Sequence, residues 1–151
     1  MEKTKPRAAW SSPVPAGETV EKRLPDGVFA AMATTRAARQ LTDVVPSRAA
    51  ARLRAFRREV DQALPGKVAR VVLFGSRARG DAKHDSDYDV AVFVRDLTGR
   101  RSIDHALADT AYRHILAGFH IRPFSVPAEF LDSDSPGTLA RNIARDGIAV
   151  P

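Results

Sequence analysis

The first regular pattern of apolar positions along the chain predicts an amphipathic helix. Leu53, Phe56 and Val60 recur at intervals of three and four residues, which places them on one face of a helix. Ser47 is a suitable N-cap, and Pro65 cannot continue a helix, so the helix is predicted between these two positions. Arginines lie on its outer face, and a solvated surface is the simplest interpretation of them.

Three apolar runs predict strands, each with a different expected place in a sheet. Residues 68–74 are nearly continuous and rich in β-branched side chains, which is typical of a buried strand. Residues 87–94 alternate and then become apolar, which predicts a second strand. Residues 120–126 predict a third strand, and the proline within it favours the edge of the sheet. Residues 148–150 are a candidate for a short closing strand.

Two further helices are predicted after the second strand. Ile103, Leu107 and Ala111 recur every four positions and predict a helix over 101–118, and a shorter helix is predicted over 136–145. The elements therefore follow the order helix, strand, strand, helix, strand, helix and closing strand. This order predicts the α+β class, with a small mixed β-sheet and helices packed on one face.

The first 45 residues lack such a pattern. Four of the ten prolines fall there, and apolar residues are sparse up to about Leu24. Proline removes a backbone donor and restricts the residue before it, so a flexible N-terminal tail is predicted over 1–45. A short helix within 28–41 is a second interpretation of its last part. The folded domain is predicted over 46–151.

Composition excludes some classes of function without choosing among the rest. The 151 residues contain no cysteine, which excludes disulfide scaffolds, thiolate metal sites and a cysteine nucleophile. This is compatible with the reducing cytoplasm, which is the expected location. No stretch approaches the roughly 18 consecutive apolar residues of a membrane span. The net charge of +6 favours anionic ligands such as nucleotides and phosphates.

One segment carries the candidate chemistry. Gly75 ends the first predicted strand, and its missing Cβ lets a ligand approach the backbone closely. The N–H groups of the following turn and the Ser76 hydroxyl can bind a phosphate. Asp87 and Asp89 alternate on the second strand, so both carboxylates project to the same face, roughly 6.6 Å apart along the chain. Such a pair can bind one or two Mg²⁺ ions and thereby hold a triphosphate.

This pattern, Gly75-Ser76, ten residues and then Asp87-x-Asp89, resembles the minimal nucleotidyltransferase (MNT) domain of the DNA polymerase β superfamily. The resemblance implies the palm-like fold of that family. It also implies Mg²⁺-dependent transfer of a nucleoside monophosphate from a nucleoside triphosphate to a hydroxyl, with release of pyrophosphate. The two aspartates become the predicted catalytic and metal-binding residues. The predicted nucleotide- and phosphate-binding residues are Gly75, Ser76, Arg77, Arg79 and Ser86.

The chain departs from the family pattern at one position. Family members carry a third acidic residue on a later strand, which completes metal binding and helps to activate the attacking hydroxyl. The corresponding run, 120–126, contains no Asp or Glu, and Arg122 or Phe124 stands where the carboxylate is expected. Glu129, just beyond the strand, is one candidate to replace the missing carboxylate. Without a replacement, the chain is expected to bind a nucleotide but to transfer it slowly.

Three functions remain open from the sequence. The first is an enzyme that uses ATP or another triphosphate. Its acceptor would be a tyrosine of a HEPN-type partner toxin, as in the toxin–antitoxin pairs that small MNT proteins resemble. The second is a catalytically weak pseudo-nucleotidyltransferase that acts by binding a protein partner. The third is a nucleic-acid-binding protein, which the basic charge favours but which lacks basic strands with interleaved aromatic residues.

Overall fold

The computed structural model describes residues 39–151. Most of the tail predicted over 1–45, and most of the helix predicted within 28–41, fall in residues 1–38, which lie outside the described residues. In the described part of the predicted tail, Leu41 and Val45 are buried in the hydrophobic core. This short segment therefore packs with the folded part of the chain.

The described elements follow the predicted order, with two additional short helices, one at the start and one between the first two strands. They are α1 (Leu41–Val44), α2 (Ser47–Ala63), β1 (Val68–Phe74), α3 (Ser76–Arg79), β2 (Tyr88–Val94), α4 (Arg100–Leu116), β3 (Ile121–Pro127), α5 (Thr138–Asp146) and β4 (Ile148–Ala149). The predicted N-cap of α2 is displaced by one position, because Pro46 caps the helix and Ser47 is its first residue.

The four strands form one mixed sheet in the order β3-β2-β1-β4. Strand β1 is antiparallel to both β2 and β4, whereas β2 and β3 are parallel and are joined through α4. The α+β class and the mixed sheet are thus confirmed. Strand β3 lies at the edge of the sheet, as its internal proline predicted.

The two faces of the sheet are covered by different helices. One face packs against α2 and α4 through residues such as Val71, Val90 and Leu53. The other carries Val72, Phe74, Ala91 and Phe93, which pack against Ile143 of α5. The expectation of helices on one face is therefore wrong for α5. Strands β1 and β2 are apolar on both faces, so the second face also needs a cover.

Strand pairing brings the candidate residues to one end of the sheet. Phe74, the last residue of β1, pairs with Asp89 near the start of β2. Asp89 in turn pairs with Arg122 near the start of β3. The Gly75 turn, the start of the acidic strand β2 and the start of β3 therefore lie at the same end of the sheet.

No helix within residues 39–151 is long and apolar enough to cross a bilayer.

Candidate functional site

The turn after β1 has a backbone that glycine alone adopts readily. Gly75 has φ 76° and ψ −156°, a region that side-chain-bearing residues almost never occupy. Ala78 N and Arg79 N both donate to Gly75 O, which starts the single helical turn α3. The first N–H groups of such a turn have no acceptor within the helix. The turn can therefore present backbone donors and the Ser76 hydroxyl to an anion.

The turn lies directly against the acidic strand. A Cβ added to Gly75 would stand 2.9 Å from Asp89 Oδ2, so the carboxylate fills the space that any other residue would need. Asp87 and Asp89 are both half-buried. Tyr88 between them is buried and packs on Phe119, with 4.3 Å between the ring centroids. The structure thus places the Gly75 turn directly against Asp89, while the binding roles of the turn and of the acidic pair stay predictions.

Arg122 is one of the two residues that the sequence places at the position of the expected third carboxylate. Its Nε donates to Asp89 Oδ1 at 2.8 Å, and Asp89 is its partner in the β2–β3 register. The hydrogen bond to Asp89, together with the negative charge of that residue and of Asp87, raises the pKa of Arg122 above its usual value. A guanidinium therefore lies beside Asp89, at one of the two positions where the resemblance implies a third carboxylate.

Arg77 holds the loop that leads into the acidic strand. Its Nε and Nη2 donate to Ser86 O at 3.0 and 2.8 Å, and Nη2 also donates to His84 O at 3.0 Å. The guanidinium lies 4.6 Å from the centroid of the Tyr88 ring. These contacts turn Arg77 toward the loop and give it a structural role in positioning Asp87. Its predicted contact with phosphate is not favoured by this geometry.

Two more of the predicted phosphate-binding residues, Ser86 and Arg79, also form hydrogen bonds within the protein. Ser86 Oγ accepts a hydrogen bond from Lys83 N at 2.9 Å, which leaves its hydroxyl proton for a further acceptor. Arg79 donates to Asp81 at 3.0 Å and to Asp146 at 3.3 Å. The binding roles of these residues, and of Gly75 and Ser76, stay predictions.

Asp146 is a buried anchor that the sequence analysis missed. Its side chain is only 6% exposed, and it accepts hydrogen bonds from Arg145 at 2.9 Å and from Arg79 of α3. The hydrogen bonds from Arg145 are the main cause of its lowered pKa, and those from Arg79 act in the same direction. The carboxylate ties the end of α5 to the turn that carries Ser76. In the sequence, Asp146 next to Gly147 looks like a helix end, and nothing there indicates that its carboxylate is buried.

We expect Asp146→Asn to destabilise the fold at neutral pH. Hydrogen bonds to a charged group contribute about 1.5–3 kcal/mol. Because the folded-state pKa is depressed, this stabilisation is present above the ordinary pKa of about 3.9 and is lost as the pH falls through the lowered value. Urea unfolding at pH 7 and pH 3 should therefore show a large difference between wild type and variant that shrinks in acid. Asp81→Asn, which removes an exposed partner of Arg79, is the matched control and should change little. An equal loss in both variants would contradict the anchoring role of Asp146.

Glu129 does not replace the missing carboxylate. Pro127, the end of β3, is already roughly 16 Å from Arg122 at the rise of a strand. Ala128 N donates to Val94 O at the far end of β2 at 2.9 Å. Glu129 follows beyond that point and is exposed. It therefore lies at the opposite end of the sheet from Asp89.

The donor set is suited to a metal ion that arrives with a triphosphate. Within residues 39–151, no cluster of three or more His, Cys, Asp or Glu side chains could hold a metal ion. Asp87 has no ion pair in this part of the chain, and Asp89 has one oxygen turned to Arg122 and the other toward Gly75. Mg²⁺ commonly uses one or two carboxylates and takes its other ligands from phosphates and water. Asp87 and Asp89 fit that arrangement.

Comparison with known proteins agrees with this site. Residues 53–125 match the model of a family described as the nucleotidyltransferase domain, a range that includes the Gly75 turn, both aspartates and Arg122. A stretch of 45 residues is 40% identical to "Putative protein adenylyltransferase MJ0141" of Methanocaldococcus jannaschii. That match covers 30% of this chain and 46% of the relative, so it spans just under half of the relative's length. Residues 53–125 are thus similar to nucleotidyltransferase domains, in agreement with the resemblance to the polymerase β superfamily.

Proposed function

From the similarity of residues 53–125 to nucleotidyltransferase domains, we propose that this protein transfers a nucleoside monophosphate from a nucleoside triphosphate to an acceptor hydroxyl. The observation that carries the proposal is the contact between the two halves of the site. The backbone of Gly75 stands so close to Asp89 that no side chain fits between them. Phosphates bound at the turn would therefore lie beside the carboxylates.

Each group of the site has its own proposed role in binding or orienting the substrates. The N–H groups after Gly75 and the Ser76 hydroxyl donate to phosphate oxygens. Asp87 and Asp89 hold Mg²⁺, which when bound offsets the charge of the triphosphate and of the leaving group. The acceptor oxygen then attacks the α-phosphorus as the bond to the bridging oxygen breaks. Pyrophosphate leaves, and the hydroxyl proton is released to solvent.

We propose ATP as the donor and a protein hydroxyl as the acceptor. The relative from Methanocaldococcus jannaschii is named as a "Putative protein adenylyltransferase", which supports both choices. The resemblance to antitoxin-like MNT proteins extends the proposal to a tyrosine of a HEPN-type partner toxin in the cytoplasm. Modification of that tyrosine would silence the toxin.

A specific observation favours a second candidate function. Arg122 replaces the third carboxylate and forms an ion pair with Asp89, so one expected base and metal ligand is missing. A chain with such a site could bind the nucleotide, turn it over slowly and act mainly by masking its partner. General-base assistance contributes typically 10²–10⁴-fold, so its loss lowers the rate without removing the binding site.

Label transfer separates the two candidates. The protein, with any partner that co-purifies with it, is incubated with Mg²⁺ and ATP labelled at either the α- or the γ-phosphate. Nucleotidyl transfer predicts stable label on protein from α-labelled ATP only, together with release of pyrophosphate. Label from γ-labelled ATP would contradict the proposed reaction. Binding of ATP without any transfer over hours would favour the masking role.

A further inference from the structure

Arg122 supplies a positive charge to the acidic pair before any ligand arrives. Its side chain is 59% exposed, whereas that of its partner Asp89 is 17% exposed. A long side chain at a sheet edge is free to extend into solvent, yet its Nε lies 2.8 Å from Asp89 Oδ1. The guanidinium carbon is 5.5 Å from the centroid of the Phe124 ring, two residues along the same strand. The ring and the carboxylate together hold the guanidinium over the site.

The ion pair changes what the acidic strand can bind. Two carboxylates carry two negative charges, and the guanidinium neutralises one of them while occupying an oxygen that a metal would need. Mg²⁺ dehydrates reluctantly and requires strongly anionic ligands. A site with one net negative charge and one engaged carboxylate therefore binds a divalent cation weakly. Because arginine is not deprotonated in proteins, this positive charge persists at any physiological pH.

We propose that Arg122 is the resident cation of the site, which keeps divalent metal ions from binding alone and makes metal binding depend on the triphosphate. The inference rests on the proposed nucleotide site. An incoming triphosphate brings several negative charges, enough to satisfy a guanidinium and a metal together. The planar fork of arginine suits phosphate oxygens as well as carboxylates. Arg122 can thus break its hydrogen bond to Asp89 and bind the phosphates, which leaves the Asp89 carboxylate for the metal.

Manganese binding to the nucleotide-free protein tests the proposal without any measurement of activity. Mn²⁺ is titrated by calorimetry and by the loss of its free electron-spin-resonance signal. Wild type should bind Mn²⁺ weakly, and Arg122→Gln should bind it at least tenfold more tightly. Arg122→Lys, which keeps the positive charge, should stay within about threefold of wild type. Arg122→Met, which keeps an apolar stem over Phe124, should behave as Arg122→Gln does.

Two controls assign the effect to this site. Arg101→Gln removes an exposed arginine at the start of α4 and should leave Mn²⁺ affinity unchanged. Asp87→Asn in the Arg122→Gln background should abolish the gained affinity. Tight Mn²⁺ binding by wild type would overturn the proposal, as would no gain in the glutamine and methionine variants or an equal gain in Arg101→Gln. A chain that bound no triphosphate in any variant would instead contradict the proposed function.

Discussion

Replacing Gly75 by alanine is expected to lower the affinity for ATP by more than tenfold. The new Cβ would stand 2.9 Å from Asp89 Oδ2, a distance at which the carboxylate must move. The backbone at φ 76° and ψ −156° also lies in a region that is essentially restricted to glycine, so the turn itself must rearrange. Both changes displace the phosphate-binding N–H groups relative to the acidic pair. Calorimetric titration with a non-hydrolysable ATP analogue and Mg²⁺ measures the loss.

Gly80→Ala provides the matched control. Gly80 also has a positive φ, 87°, but it ends α3 in the left-handed helical region and has nothing within 4 Å of its added Cβ. Its alanine variant should lose some thermal stability, because that conformation costs an L-residue roughly 1–2 kcal/mol. Its affinity for the analogue should stay near that of wild type. Equal losses of affinity in both variants would show that strain in the turn, and not the contact with Asp89, decides binding.

The second large effect is expected from the acidic pair. Asp87→Asn and Asp89→Asn should each lower nucleotidyl transfer at least about a hundredfold, as expected for losing a group that stabilises charge in the transition state. Each change removes one carboxylate of the pair that would hold Mg²⁺. Asp89→Asn also frees Arg122 from its ion pair, and the freed guanidinium can contact the triphosphate, so this variant should lose transfer and its response to Mg²⁺ while keeping its affinity for the nucleotide. Rates of label transfer from α-labelled ATP, measured over a range of Mg²⁺ concentrations, give both effects.

Glu129→Gln is the matched control for these two variants. It removes the same charge from an exposed residue at the other end of the sheet and should leave transfer unchanged. A loss of transfer in Glu129→Gln comparable to that in Asp89→Asn would mean that Glu129 reaches the acidic pair.

Much of the fold could be predicted because local pattern and tertiary structure agree. The apolar run of β1 lies between Gly66-Lys67 and Gly75, and its predicted range of 68–74 is the observed one. The four-residue spacing of Ile103, Leu107 and Ala111 predicted α4, and all three are buried. The proline in β3 predicted an edge strand for a simple reason, since an edge leaves the missing N–H without a required partner.

The errors concern relations between elements that are distant in sequence. Nothing within α5 shows which face of the sheet it covers, since that depends on the unpaired apolar face of Val72 and Phe93. The partner of Arg122 depends on the β2–β3 register, and a shift of one residue would turn its side chain to the other face. The phosphate contact expected of Arg77 stays a prediction. Only the folded loop shows that its Nε and Nη2 donate to the carbonyls of His84 and Ser86.

The most direct test of the central claim is a crystal structure of the protein with Mg²⁺ and a non-hydrolysable ATP analogue. The account predicts triphosphate density against the Gly75-Ser76 turn, with the α-phosphate over the face that carries Asp87 and Asp89. It also predicts that Arg122 contacts a phosphate oxygen. Nucleotide bound elsewhere, for example in the groove between α4 and β3 that Phe124, Phe130 and Leu139 help to line, would contradict the account.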